Sequence, residues 1–140
     1  MNRAAHFERV KSLIAPPVIV HDSTAPLDEN DGTVVRASYA ILYDLGADEP
    51  PDDERYAKQQ DPDSKVTLRY VVKSVGETPF AAREVDGTVA GQLISQVIEV
   101  EGRECDPIVC DEIGGVKEDT SVSPPLYFIE SDYLVTSKPV

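Results

Sequence analysis

Two cysteines, two histidines and a surplus of carboxylates are the residues of this chain with chemistry to offer. Cys105 and Cys110 form a single C-x4-C, and with only His6 and His21 elsewhere the paired ligand spacing of a zinc site is missing. Two cysteines are too few for a disulfide framework, so both are read as reduced thiols. Asp28-Glu29-Asn30-Asp31-Gly32 has the ligand types of a calcium loop. Counted from Asp28, however, the glycine falls at position 5 instead of 6, and position 12 is Tyr39 where a bidentate Glu belongs, so a turn is expected there. Asp52-Asp53-Glu54 sets carboxylates side by side, but in a proline-rich stretch nothing holds the separation that acid/base work requires. His6 falls on a predicted helix and His21 at a predicted strand end. Neither has a foreseeable acidic or thiol partner, and each is expected at the surface or partly buried. No G-x-S-x-G, H-E-x-x-H, P-loop or G-x-G-x-x-G occurs. These residues predict no catalytic, cofactor-binding or metal site, and a protein that is not an enzyme.

The charge balance is more informative. Against 13 Lys and Arg stand 26 Asp and Glu, a formal net charge of −13. Nucleic-acid affinity comes from cations displacing counterions at phosphates, so such a surface repels DNA unless a basic patch is segregated on it. The bases are scattered singly, whereas the acids cluster. Asp44, Asp48, Glu49, Asp52, Asp53, Glu54, Asp61 and Asp63 crowd one stretch, countered only by Arg55 and Lys58. A second group is Glu99, Glu101 and Glu104.

The elements that must position these groups follow from periodicity. The 140 residues, 41% hydrophobic and 28% charged, predict a single domain over 1–140. No run of apolar residues is long enough to span a membrane, and Met1 to His6 opens no signal peptide, so a soluble, non-exported chain with no membrane partner is expected. Phe7, Val10, Leu13 and Ile14 predict an amphipathic helix over Arg3 to Ile14, stopped by Pro16-Pro17. Val18 to Val20 predicts a short strand, and Asp22 to Gly32 is rich in turn residues. Val35 to Tyr43 predicts a strand with Tyr39 and Ile41 on one face and the small, largely apolar Ser38, Ala40 and Leu42 on the other, both covered. From Leu45 to Ser64 apolar content nearly vanishes, which predicts a mobile acidic loop at about 45–64. Lys65 to Val75 alternates as a strand. In the "SVGETPF" that ends it, Thr78 can cap a helix and Pro79 suits its first position. Ala82, Val85, Val89 and Leu93 continue that helix, with Gly87 and Gly91 on one face to permit close approach to a sheet. Ile98 to Glu101 and Arg103 to Cys105 predict a small hairpin about Glu101-Gly102. Cys105 to Pro125 reads as a long ordered connection, and Leu126 to Ser137 as a closing strand. The fold class is α+β, a mainly antiparallel sheet of about four strands plus the hairpin, flanked by two helices.

The order of these elements, with "ASYAILYDLG" (Ala37 to Gly46), "LRYVVKSVGETPFAAREV" (Leu68 to Val85) and "PPLYFIESDYLVTS" (Pro124 to Ser137), resembles the tail terminator proteins of long-tailed (siphovirus-type) bacteriophages. The resemblance spans most of the chain and rests on order and phrasing. It implies an α+β domain that assembles into a ring, usually hexameric, which caps the tail tube and joins it to head-completion proteins, without catalysis. The implied partners are further copies of the chain, the major tail tube protein and a head-completion or neck protein, in the virion and in the host cytoplasm during assembly. DNA must pass such a ring without sticking, and a lumen presenting carboxylates to phosphates allows this. Asp48, Glu49, Asp52, Asp53 and Glu54, or the hairpin's Glu99, Glu101 and Glu104, are the expected lumen or partner-facing residues. A neck connector shares the same acidic, ring-forming character. An acidic inhibitor that mimics DNA is disfavoured, because the acids sit mainly in loops instead of along one helix or strand face.

Overall fold

The computed structural model describes residues 2–48 and 65–140. Helix α1 spans Arg3–Leu13, capped by the Asn2 side chain, which accepts from the Ala5 amide at 2.9 Å. Its Phe7 and Val10, with Ile14 just beyond its end, turn into the core, as their spacing predicts. Seven strands follow among the described residues: β1 (Val20–Asp22), β2 (Tyr39–Asp48), β3 (Val66–Gly76), β4 (Arg103–Cys105), β5 (Val109–Ile113), β6 (Lys117–Asp119) and β7 (Leu126–Pro139). Helix α2 spans Pro79–Leu93, between β3 and β4.

The antiparallel trio β2, β3 and β7 forms the centre, with Tyr39 opposite Val75 and Val75 opposite Phe128. On one side β1 runs parallel to β2, so the sheet is mixed. On the other, β4, β5 and β6 line up in turn along the 14-residue β7. The α+β class holds, and the sheet is larger than four strands and a hairpin. The hairpin itself is corrected. Its turn exists, closed by the Arg103 amide on the Val100 carbonyl at 3.0 Å, but β4 pairs with β7, Cys105 opposite Ser137. Ile98 and Val100 are buried against the core, and β7 would otherwise leave that edge bare. The expected connection after Cys105 holds β5 and β6. Their signal is weak because β5 is exposed at four of its five positions and β6 has only three residues.

Boundaries also move. Val18 is a core residue ahead of β1, not part of it. Strand β2 starts at Tyr39 and runs to Asp48 through a bulge between Asp44 and Gly46, where Gly46 has φ +97°. The first residues of the expected acidic loop are therefore strand, and the rest of that loop lies outside the described residues.

Both helices pack on one sheet face. There Val85, Val89 and Leu93 of α2 meet Leu68, Tyr70 and Val72 of β3 and Tyr133 and Val135 of β7. The opposite face holds a smaller cluster of Tyr39, Ile41, Val75 and Leu126, covered by Ala25, Val34 and Val122. Strand β2 is thus covered on both faces, as its two apolar parities predict. Thr78 caps α2, accepting from the Ala81 amide at 3.0 Å, with Pro79 first in the helix. Gly76 explains the tight join. A Cβ there would stand 2.6 Å from both the Ala81 Cβ and the Ala82 nitrogen. The expected role of Gly87 and Gly91 is overturned: both are exposed, with nothing within 4 Å of an added Cβ, because the buried stripe of α2 lies on its other side.

Candidate contact surface

The described acids of interest gather at one end of the sheet. Asp48 closes β2 opposite Thr67, and Thr67 lies opposite Thr136. Two residues further along β7, Lys138 is opposite Glu104. Three strand spacings of about 4.8 Å separate β2 from β4, so the two backbones stand about 14 Å apart at that end. Glu49, Asp52, Asp53 and Glu54 lie outside the described residues.

Glu99, Glu101 and Glu104 are exposed, and they rim a shallow groove of about 440 Å³ with Arg9, Val97 and Arg103. Their outward display has a local cause. Ile98 and Val100 are buried, so the intervening Glu99 must face water, and Glu101 occupies the turn. Glu104 pairs loosely with Lys138 at 3.6 Å across an exposed surface, an ion pair that contributes little. The groove offers charge on a fixed backbone.

The other chemistry-bearing residues are occupied or enclosed. In Asp28 to Gly32, Asp28 Oδ1 accepts from the Asn30 amide at 2.8 Å, and Asp31 Oδ1 accepts from both the amide and the hydroxyl of Thr33. The segment is a turn, and the Thr33 bonds hold the Asp31 carboxyl below its ordinary value. No three His, Cys, Asp or Glu converge on a metal-sized position among the described residues. Both thiols are free. Burial, with the Asp86 carboxylate nearby, pushes Cys110 up, which suppresses its thiolate. Asp86 is itself pushed up by desolvation, against a hydrogen bond from the Ser131 hydroxyl at 2.9 Å. His21 packs edge-on against Tyr39, ring centres 5.6 Å apart.

His6 corrects the expectation of a surface or partly buried histidine, since it is fully buried. Its Nδ1 lies 2.6 Å from the Asn2 carbonyl and its Nε2 2.9 Å from Ser137 Oγ. Arg103 donates to Ser137 through Nε and to the Ser137 carbonyl through Nη2, each at 2.9 Å. A serine–histidine pair enclosed in this way, with Ser137 also fully buried, presents no nucleophile to solvent. The sequence signal was present but faint: His6 sits one residue from the apolar Phe7, on the inward side of α1.

Exposed apolar groups were missed as well. Phe80 is 68% exposed and Ile19 63%, and Phe80 lines an open groove of about 340 Å³ with Pro17, Val18, Ala81 and Val85. Val109 and Ile113 are exposed on β5. Phe80 was legible in principle, because it lies off the α2 stripe of Ala82, Val85, Val89 and Leu93. No described helix is long and apolar enough to cross a membrane. No protein-family model matches the chain, and no curated protein matches it.

Proposed function

We propose that this chain is a structural virion protein, a tail terminator whose copies form a ring that caps the tail tube and joins it to head-completion proteins, with an acidic surface that lets DNA pass. The observation that carries this reading is the display of Glu99, Glu101 and Glu104 at the sheet end where β2 also closes at Asp48. These three carboxylates repel phosphates at short range, against the two cations, Arg9 and Arg103, that line the same groove. Contact between copies draws support from the exposed Phe80 and Ile19 and from two unlike sheet edges, β1 on one side and β4 to β6 on the other. Unlike edges join head to tail, and a head-to-tail contact closes into a ring when its rotation allows.

Two measurements test this. Negative-stain imaging of the purified protein, alone and with isolated tail tubes, is expected to show rings or added density at one tube end. Bare tube ends overturn the reading, and density on head vertices instead transfers it to a neck connector. The triple variant Glu99→Lys, Glu101→Lys, Glu104→Lys is expected to keep the parent circular dichroism while titre falls by at least tenfold. An unchanged titre removes these acids from the DNA path.

A further inference from the structure

We propose that the buried chain Arg103–Ser137–His6–Asn2 is an acid-sensitive clasp that holds α1 onto the C-terminal strand and lets the helix open locally as the solution acidifies, while the sheet stays folded. The inference is independent of the virion reading. Its basis is the direction of the hydrogen bonds. Arg103 Nε–H can only donate, so Ser137 Oγ accepts from it at 2.9 Å. The Asn2 carbonyl can only accept, so in the neutral ring the proton is on Nδ1, and Nε2 accepts from the Ser137 hydroxyl at 2.9 Å. His6 Nδ1 carries the ring proton and donates it to the Asn2 carbonyl at 2.6 Å. Every donor and acceptor of a neutral imidazole is thereby used, and one tautomer is selected.

A second ring proton is accepted only if the Ser137 hydroxyl turns its own proton away from the ring. It would have to sit on Nε2, facing a hydroxyl that is already turned toward it, in a site closed to water. The charged groups bearing on the ring are also unfavourable: the Arg103 guanidinium on β4 and the chain's amino terminus are both positive. From β7 the group that meets the ring is the Ser137 hydroxyl, with Cys105 opposite Ser137 on β4, and on α1 the adjacent Phe7 packs against Tyr70 of β3. Desolvation is the leading cause that holds His6 below its ordinary 6.5, followed by opposition between the Asn2 bond, which raises it, and Arg103, which lowers it.

The clasp joins the start of α1 to the paired strands β4 and β7. Asn2 opens α1, Ser137 lies in β7 and Arg103 begins β4. When α1 lifts away, His6 regains an ordinary imidazole affinity for protons, and the opened state gains a proton that the closed state refuses. The sign follows. Well above 6.5 neither state binds it and opening is independent of pH; below 6.5 opening grows, approaching about tenfold per pH unit until the lower folded value is reached.

Native-state hydrogen exchange read by NMR, corrected for intrinsic rates, tests this between about pH 7.5 and pH 5.5, where few carboxylates titrate. The expected result is that protection of the α1 amides falls by up to about tenfold between about pH 7.5 and pH 5.5, most of it below about 6.5, while β3 and β7 amides hold theirs, and that His6→Gln removes the slope. Flat α1 protection, a parallel loss in β3 and β7, or a slope that persists in His6→Gln overturns the clasp. Should His6→Gln fail to fold, the imidazole nitrogen shifts of the parent decide: a neutral Nδ1–H ring at pH 6.5 supports it, and a ring already half protonated there overturns it.

Discussion

Asp86 shows how one carboxyl can oppose the fold that contains it. It sits on α2 beside β7, and the Ser131 hydroxyl at 2.9 Å offsets its lost hydration only in part, so its proton affinity rises above the ordinary 3.8. A raised folded value means that the native state binds a proton more readily than the unfolded chain. Stability therefore increases as pH falls through the folded value toward 3.8, and the charged form is a net cost at neutral pH. Asp86→Asn keeps an acceptor for Ser131 and removes the charge. Its melting temperature is expected to exceed that of the parent at neutral pH, with the gap narrowing as the solution is acidified, as thermal melts at a series of pH values will show. A variant that melts lower at neutral pH contradicts this account. Burial of Asp86 was not legible in the sequence, since charge at that position is equally suited to a solvated helix face.

At the scale of elements, the glycines around α2 divide into one that the fold requires and two that it tolerates. Gly76 ends β3 where the chain turns into α2, and any Cβ there would press on Ala81 and the Ala82 backbone. Gly76→Ala is expected to lower stability by about 2 kcal/mol, since backbone has to shift to admit the methyl group. Gly87 and Gly91 face open space inside an exposed helix surface. Replacing either by Ala is expected to raise stability by about 1 kcal/mol, because the unfolded chain loses freedom and nothing is displaced. Urea titrations of the three variants distinguish these signs. The strand-to-helix join was readable from Thr78 and Pro79, which act through local bonds, and the buried stripe of α2 from its 3.6-residue period. Pairing partners were not readable. Whether Arg103 to Cys105 pairs with the residues before the turn or with β7 depends on which edge is free, and that is a property of strands remote in sequence.

For the whole molecule, the charge of −13 sets the conditions for any assembly. Copies brought together repel one another, and added salt screens that repulsion, with a Debye length of about 10 Å at 0.1 M and about 3 Å at 1 M. If the proposed ring joins copies through apolar groups such as Phe80 and Ile19, association is expected to strengthen as salt rises. Sedimentation velocity across that range checks this, and Phe80→Asp is expected to leave a folded monomer at every salt concentration. A monomer insensitive to salt in the parent would count against the ring. The sequence alone determined the α+β class, both helices, the two long central strands β3 and β7, and the acidic character, because periodicity, capping and charge are properties of neighbouring residues. The tertiary structure decided the parallel β1, the three strands along β7, the buried His6 clasp and the exposure of Gly87 and Gly91. Each of these turns on which distant segment covers a given face or edge, and that is settled only when the chain competes as a whole for buried area and hydrogen-bond partners.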